Sequence, residues 1–363
     1  MRLLLAAGGT GGHVIPGLVL ARELCGRGPE HRVLFVGTSR GVENRLVPPA
    51  GFPLELLEVA ALQGEPLAAR LRNLLRLPGA LGQASRIIAR FRPDVVLGVG
   101  GYAAGPVMLA AALAGVPLAA LEPNAVPGLA NRWIAPYVER AFLGFPEAQS
   151  YFLAGKSSVT GVPVRREFFE VPPRQSRDPF TVLVFGGSQG ARTLNRAAVE
   201  ALPLLESERE RLLLLHQTGQ TEYNAVREAY ERHAVPAEVF PFTDQMPEVF
   251  GRADLVVCRA GANTLAELAA AGKAAILVPF PFAANQHQLR NAQALQEAGA
   301  AQLVLNWEMD GARFASAVRD LLDHPEMLAH MEQRIRTLAK PQATARIVDE
   351  LERMARRRGG SPS

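Results

Sequence analysis

One local pattern occurs twice in this sequence, and it limits the folds open to the chain more than any other feature. LLLAAGGTGGHVIPG lies at the start and VLVFGGSQGARTLN past the midpoint. Each is an unbroken apolar run, then a glycine-rich turn, then a helix-forming segment. A run without polar alternation is the signature of a strand buried on both faces. Glycines let the backbone turn tightly and approach a ligand closely, and a helix starting just after them points unpaired N–H groups and a positive dipole end at that ligand. Further short apolar runs recur at 2–7, 32–36, 54–58, 95–99, 118–121 and 140–143, then at 181–185, 212–216, 238–240, 255–258, 275–278 and 301–304, with helical patterns between them. Strands alternating with helices predict parallel sheets covered on both sides. A length of 363 residues suits two such cores. Residues 163–179 are rich in proline and charge and lack periodicity, as in a linker. The expected organisation is therefore two doubly wound α/β domains, 1–162 and 163–340. A C-terminal helix with a basic tail, 341–363, is placed to pack back on the first domain. Ligands of such folds sit at the carboxyl ends of the strands.

Several function classes fall away early. No window approaches the 18 or so apolar residues that a membrane-spanning helix needs. The apolar run at 3–7 is too short for a signal sequence and leads straight into glycines. Cys25 and Cys258 lie far apart without metal-ligand spacing, so no metal site is expected. The net charge of +4 fits an anionic partner, but 6% aromatic residues and no recognisable nucleic-acid module argue against nucleic acid. A dinucleotide-dependent dehydrogenase needs G-x-G-x-x-G and an acid at the tip of the second strand. Here Val14 occupies the third glycine position and the second strand ends in Gly37-Thr38. Two glycine loops then favour a phosphate-bearing ligand, although either loop alone could simply serve a tight turn.

Four further features carry candidate chemistry. His13 sits at a helix start, where the positive helix end favours a neutral ring able to act as general base; a lone histidine can equally be structural. Glu122 and Asn124 follow the strand at 118–121 and reach the same sheet edge, or else serve the turn before Pro127-Gly128. Thr264 and Glu267, three apart, read either as a capping box or as a helix that offers Glu267 to the two hydroxyls of a ribose. Between 67 and 81, Leu71, Leu74 and Leu75 alternate with Arg70, Arg72 and Arg76. That stripe faces a core or lies on an anionic membrane surface.

Taken in order, GGTGGHVIPGL at 8–18, GVGGYAAGP at 98–106, LEPNAVPGLANRW at 121–133, TGVPVR at 160–165, GGSQGARTLN at 186–195, HQTG at 216–219, CRAGANTLAEL at 258–268 and VPFPFAANQHQLRNA at 278–292 resemble the MurG family across nearly the whole chain. The resemblance implies a GT-B fold, two Rossmann-like domains facing a central cleft. It implies an inverting, metal-independent transfer, without cofactor, of N-acetylglucosamine from UDP-GlcNAc to the C4 hydroxyl of the muramyl residue of lipid I (undecaprenyl-pyrophosphoryl-muramyl-pentapeptide), giving lipid II for peptidoglycan. The donor would meet Ser188 at the diphosphate, Arg165 and the Gln245 backbone at the uracil, and Glu267 at the ribose. Ala262, Gln288 and Asn124 would meet the sugar, with Thr10, Gly11 and Gly12 of the first loop also reaching it. The acceptor would meet Thr10, His13, Tyr102 and Glu122, with His13 the first candidate base and Glu122 the second. The family works peripherally at the cytoplasmic face of the bacterial plasma membrane, which makes 70–76 the expected membrane contact. Three positions depart from the family pattern: Val162 replaces the usual Asn, Gln286 an Asp, and Pro123 a Gln.

Overall fold

The computed structural model describes residues 1–39, 41–59, 67–187 and 190–359, the side chains of 67–76, 358 and 359 excepted. The chain divides into two compact units, 1–164 with 340–363, and 165–339.

The first unit is built on a sheet of seven strands: β1 (Arg2–Ala7), β2 (Arg32–Thr38), β3 (Leu54–Leu57), β4 (Val95–Gly100), β5 (Leu118–Glu122), β6 (Arg140–Leu143) and β7 (Ser157–Val159). They lie in the order β3-β2-β1-β4-β5-β6-β7 and every neighbouring pair is parallel. Successive side chains of a strand point to opposite faces, so β1 feeds two cores. Leu3 and Leu5 join one, with Phe35 and Leu20; Leu4 and Ala6 join the other, with Ile88 and Val107. The helix Ala343–Gly359 closes the first of these faces. It buries Ile347, Val348, Leu351 and Met354 there. Full burial of such side chains stabilises by roughly 1.5–3 kcal/mol each. The ion pairs that flank it, Arg27 to Asp349 at 2.6 Å and Arg140 to Glu350 at 2.9 Å, are partly exposed and weaker.

The second unit repeats the plan with six strands: β8 (Phe180–Phe185), β9 (Leu212–Gln217), β10 (Ala237–Phe240), β11 (Leu255–Cys258), β12 (Ala274–Leu277) and β13 (Ala301–Leu303), ordered β10-β9-β8-β11-β12-β13 and again all parallel. In both sheets the strand order reverses beside the first strand, between β1 and β4 and between β8 and β11. Within each unit the loops after its two strands flank that sheet's own switch point, where open α/β sheets hold their ligands.

Two features depart from the sequence expectation. Residues 165–179 are not a solvated linker but part of the second unit. Phe168 is fully buried against Phe250, their ring centroids 5.2 Å apart. Arg174 reaches Asp254 at 3.1 Å and Arg177 reaches Glu332 at 2.8 Å. Strand β7 had no apolar run to announce it; Ser-Ser-Val is a short edge strand paired on one side only.

Candidate functional site

In the first unit the site is made by the loops after β1, β4 and β5. Thr10 stands just before the helix Gly11–Arg27 in extended backbone and does not cap it. Its hydroxyl lies instead 3.3 Å from Nδ1 of His13. His13 Nδ1 is also 3.3 Å from the carbonyl oxygen of Gly8. A carbonyl can only accept, so Nδ1 carries the proton and the basic lone pair is on Nε2. The β4 loop folds over this arrangement because it is glycine. A Cβ on Gly100 would come within 2.6 Å of the His13 ring, and one on Gly101 within 2.0 Å of Gly8 O. Both glycines have positive φ, +118° and +85°, so a side chain would be strained there on backbone grounds as well. Tyr102 follows directly and is exposed.

Glu122 ends β5 with its carboxylate buried. Oε1 accepts from Asn124 N at 3.0 Å and Asn124 Nδ2 at 3.1 Å; Oε2 accepts from Asn131 Nδ2 at 2.9 Å and Gly128 N at 3.0 Å. Burial pushes its pKa up and these donors pull it back. Two donors on each oxygen match the lone pairs a carboxylate offers. This corrects the placement of Glu122 as a base: it organises the loop carrying Asn124. Pro123 fits this loop because the donors come from 124, 128 and 131.

In the second unit, Gly187 and Gly190 have φ of +91° and +76°. A Cβ on Gly190 would fall 1.9 Å from Thr218 O, so the β8 loop is pressed onto the β9 loop. Ser188 lies outside the described residues. Gln217, nearly fully buried, binds two loops at once: its Nε2 donates to Gly187 O at 3.2 Å and its Oε1 accepts from Thr243 N at 3.3 Å. Behind it His216 is completely buried, and desolvation lowers its pKa to about 3, so the ring is neutral. Asn195 Nδ2 donates to Thr218 O at 2.9 Å and to Glu222 Oε2 at 2.6 Å. Its Oδ1 therefore accepts from His216 Nε2 at 3.0 Å, and His216 Nδ1 accepts from the Tyr230 hydroxyl at 3.0 Å. Sequence reading passed over this network because it registered Asn195 and His216 only as letters of two motifs.

Arg165 heads the unit. Its Nη1 donates to Asp244 O at 3.3 Å and its guanidinium lies 5.0 Å from the Phe168 ring centroid, which puts it beside the Asp244–Gln245 backbone. Its charge is also felt at Glu267. Burial raises the pKa of Glu267 to about 7, against the pull of Arg165. The capping-box reading of Thr264 and Glu267 fails: the helix Ala262–Ala271 is capped at Gly261 without a side-chain bond. Thr264 is its third residue and Glu267 lies a turn further on. With Ala262 first in the helix, the N–H groups of that first turn lie just past the carboxyl end of β11, where an anion would bind.

After β12, Asn285 and Gln286 are both left-handed, each with φ of 53°. Two successive non-glycine residues in that region store strain. They set the helix His287–Glu297, on which Gln288 Oε1 accepts from Phe280 N at 2.9 Å. Arg259, unassigned from sequence, donates to Val278 O at 3.0 Å, Pro279 O at 3.3 Å and Asn306 Oδ1 at 2.7 Å, so it braces this loop.

The membrane-contact candidates Leu71, Leu74, Leu75, Arg70, Arg72 and Arg76 are on the helix Leu67–Phe91, but their side chains lie outside the described residues. Among the described residues no helix is long and apolar enough to cross a membrane.

Two family models match the chain: the glycosyltransferase family 28 N-terminal domain over residues 3–143 and the glycosyltransferase family 28 C-terminal domain over 181–347. The UDP-N-acetylglucosamine–N-acetylmuramyl-(pentapeptide) pyrophosphoryl-undecaprenol N-acetylglucosamine transferase of Anaeromyxobacter sp. (strain K) is 47% identical over 100% of this chain and 95% of its own length. That of Myxococcus xanthus (strain DK1622) is 46% identical over 96% of this chain and 92% of its own. The crystal structure of Acinetobacter baumannii MurG superposes with a TM-score of 0.78 at 32% identity, covering 97% of this chain and 99% of that one. The two parallel-sheet units are those of a GT-B glycosyltransferase, and the chain belongs to the MurG family of N-acetylglucosamine transferases.

Proposed function

We infer that this chain transfers N-acetylglucosamine from UDP-GlcNAc to the C4 hydroxyl of the muramyl residue of lipid I, producing lipid II and UDP. The family membership supports the overall reaction; the residue roles below are our reading of the geometry. The acceptor oxygen attacks the anomeric carbon, the bond from that carbon to the UDP oxygen breaks with its electron pair going to UDP, and configuration inverts. His13 Nε2 takes the acceptor proton. The observation that carries this assignment is the Nδ1 contact with Gly8 O, which fixes the tautomer a base needs. Glu122 serves by holding Asn124 in place for the sugar. Thr10, Gly11, Gly12 and Tyr102 line the same loops.

Negative charge grows on the departing diphosphate. The N-termini of the helices Arg192–Leu205 and Ala262–Ala271, with Ser188 on the first of their loops, meet that charge. Arg165 and the Gln245 backbone hold the uracil, Glu267 accepts from both ribose hydroxyls, and Gln288 donates to the sugar through the amide nitrogen opposite its bonded oxygen. A transfer assay with labelled UDP-GlcNAc and a short-chain lipid I analogue tests the whole reading. Disaccharide product that depends on both substrates is expected; hydrolysis of donor regardless of acceptor, or preference for another nucleotide sugar, would refute it.

Because the acceptor bears a polyprenyl chain, we place the enzyme peripherally on an anionic membrane surface at its cytoplasmic face, through the Leu/Arg stretch at 70–76. The helix carrying it packs against the helix Ala104–Leu113. Leu109 and Leu113 of that neighbour are one turn apart and exposed, 41% and 73%. Vesicle binding should weaken with salt, each arginine contributing about 1 kcal/mol near the surface. Binding to phosphatidylglycerol vesicles that survives both high salt and charge reversal at Arg70, Arg72 and Arg76 would overturn this placement.

A further inference from the structure

We propose that Glu43 is a positioning residue for His13, acting through the peptide group between Gly8 and Gly9. The proposal rests on the reading of His13 as the base. Glu43 lies in the short helix Glu43–Leu46 that follows β2, and its side chain is fully buried. Oε1 accepts from Thr38 N at 2.6 Å and from the Thr38 hydroxyl at 3.0 Å. Oε2 accepts from Gly9 N at 2.9 Å. That N–H belongs to the same peptide plane as Gly8 C=O, the acceptor for His13 Nδ1 at 3.3 Å.

A carboxylate therefore holds one end of a peptide dipole and the imidazole holds the other. Polarisation runs along such a chain of hydrogen bonds: the carboxylate draws on the N–H, the carbonyl oxygen becomes a better acceptor, and the Nδ1–H tautomer is reinforced. In hydrolytic triads a carboxylate orients the imidazole by direct contact; here a backbone peptide stands between the two. The surrounding glycines make room for it. A Cβ would come within 2.8 Å of Glu43 at Gly8, 2.5 Å at Gly37 and 1.9 Å at Gly41.

Glu43→Gln is the test, in the full-length enzyme with UDP-GlcNAc and a short-chain lipid I analogue. An amide accepts on one atom only, so its nitrogen opposes either Thr38 N–H or Gly9 N–H. We expect kcat to fall roughly tenfold, as when outer supports of a reactive group are removed. The acid limb of the pH profile should move to lower pH, because a negative charge that favoured the imidazolium is gone. UDP affinity should stay unchanged. In a His13→Ala background Glu43→Gln should cost nothing further. Should Glu43→Gln not fold, Thr38→Val removes only the hydroxyl on Oε1 and should shift kcat and pH limb in the same directions by a smaller factor. An unchanged kcat and pH profile in the folded variant overturns the proposal alone, as does an equal loss in both backgrounds. Full turnover by His13→Ala overturns the base assignment, and the proposal with it.

Discussion

Replacing Glu267 with glutamine should stabilise the protein and impair it at once. Burial raises the Glu267 pKa from 4.5 to about 7. The sign follows from proton counting: between those values the unfolded chain has released a proton that the folded chain still holds. Stability from this residue is therefore greatest below pH 4.5, declines as pH rises to about 7, and is level above. At about 1.4 kcal/mol per unit the full penalty is about 3 kcal/mol, an upper value because an amide must also be desolvated. For a unit the size of 165–339, about 2–4 °C accompanies each kcal/mol. Glu267→Gln should thus melt above the parent at pH 8 by at most about 6–12 °C, and much closer to it at pH 5, where the parent carboxyl is largely protonated. UDP should bind the variant about five- to thirtyfold more weakly at pH 8, the difference between charge-assisted and neutral hydrogen bonds to the ribose. Differential scanning calorimetry and isothermal titration with UDP at the two pH values give all four numbers. A variant that melts lower than the parent at pH 8, or whose advantage is the same at both pH values, would show that Glu267 is not a desolvated charge kept for a ligand.

The remaining expectations concern three residues. His13→Ala should lower kcat by about a hundred- to ten-thousandfold while leaving UDP affinity within about twofold, read by steady-state kinetics and titration. Glu122→Gln should keep the acid limb of the pH profile, since His13 carries it, yet lose about 1–3 kcal/mol of stability in urea melts because two N–H donors then face an amide nitrogen. His216, neutral with its pKa lowered to about 3, makes stability fall as pH drops from about 6.5 towards 3, by up to about 1.4 kcal/mol per unit. His216→Gln should be less stable than the parent at pH 7, and the gap should narrow on acidification. Because the Glu267 and His216 slopes oppose each other between about pH 4.5 and 6.5, each is measured as a difference from its own variant at fixed pH.

The strands were legible in the sequence because buried parallel strands need continuous apolar runs. All twelve expected runs start within one residue of an observed strand. The glycine turns were legible because tight approach leaves no alternative residue, as Gly101 against Gly8 O shows. What the sequence concealed were groups whose role depends on a partner far along the chain. Glu43 escaped notice because an acid was sought at the end of β2; it arrives five residues later and turns back onto Thr38 and Gly9. The role of Glu122 was misread for the complementary reason. Its three donor residues are local, but whether an acid is satisfied by its own loop or offered to a substrate is decided by orientation, which no pattern encodes. The register of Thr264 and Glu267 turned on where the helix begins: its cap is Gly261, three residues before Thr264.

The second unit concentrates costs that folding alone would not select. Glu267 is a desolvated carboxylate at a partly exposed position, and Asn285 and Gln286 are consecutive left-handed residues, each conformation costing of order 1 kcal/mol or more. The His216 network of the same unit is, by contrast, saturated, each polar group matched to a partner. A ligand that brings two hydroxyls to Glu267 and an anion to the Ala262 helix end would relieve the first cost on binding. Part of the binding free energy would then come from relief of that desolvation. It follows that UDP should raise the melting temperature of Glu267→Gln less than that of the parent at equal UDP concentration, although the variant alone melts higher at pH 8; equal increments would mean that the ribose contact and the desolvated carboxylate are unrelated.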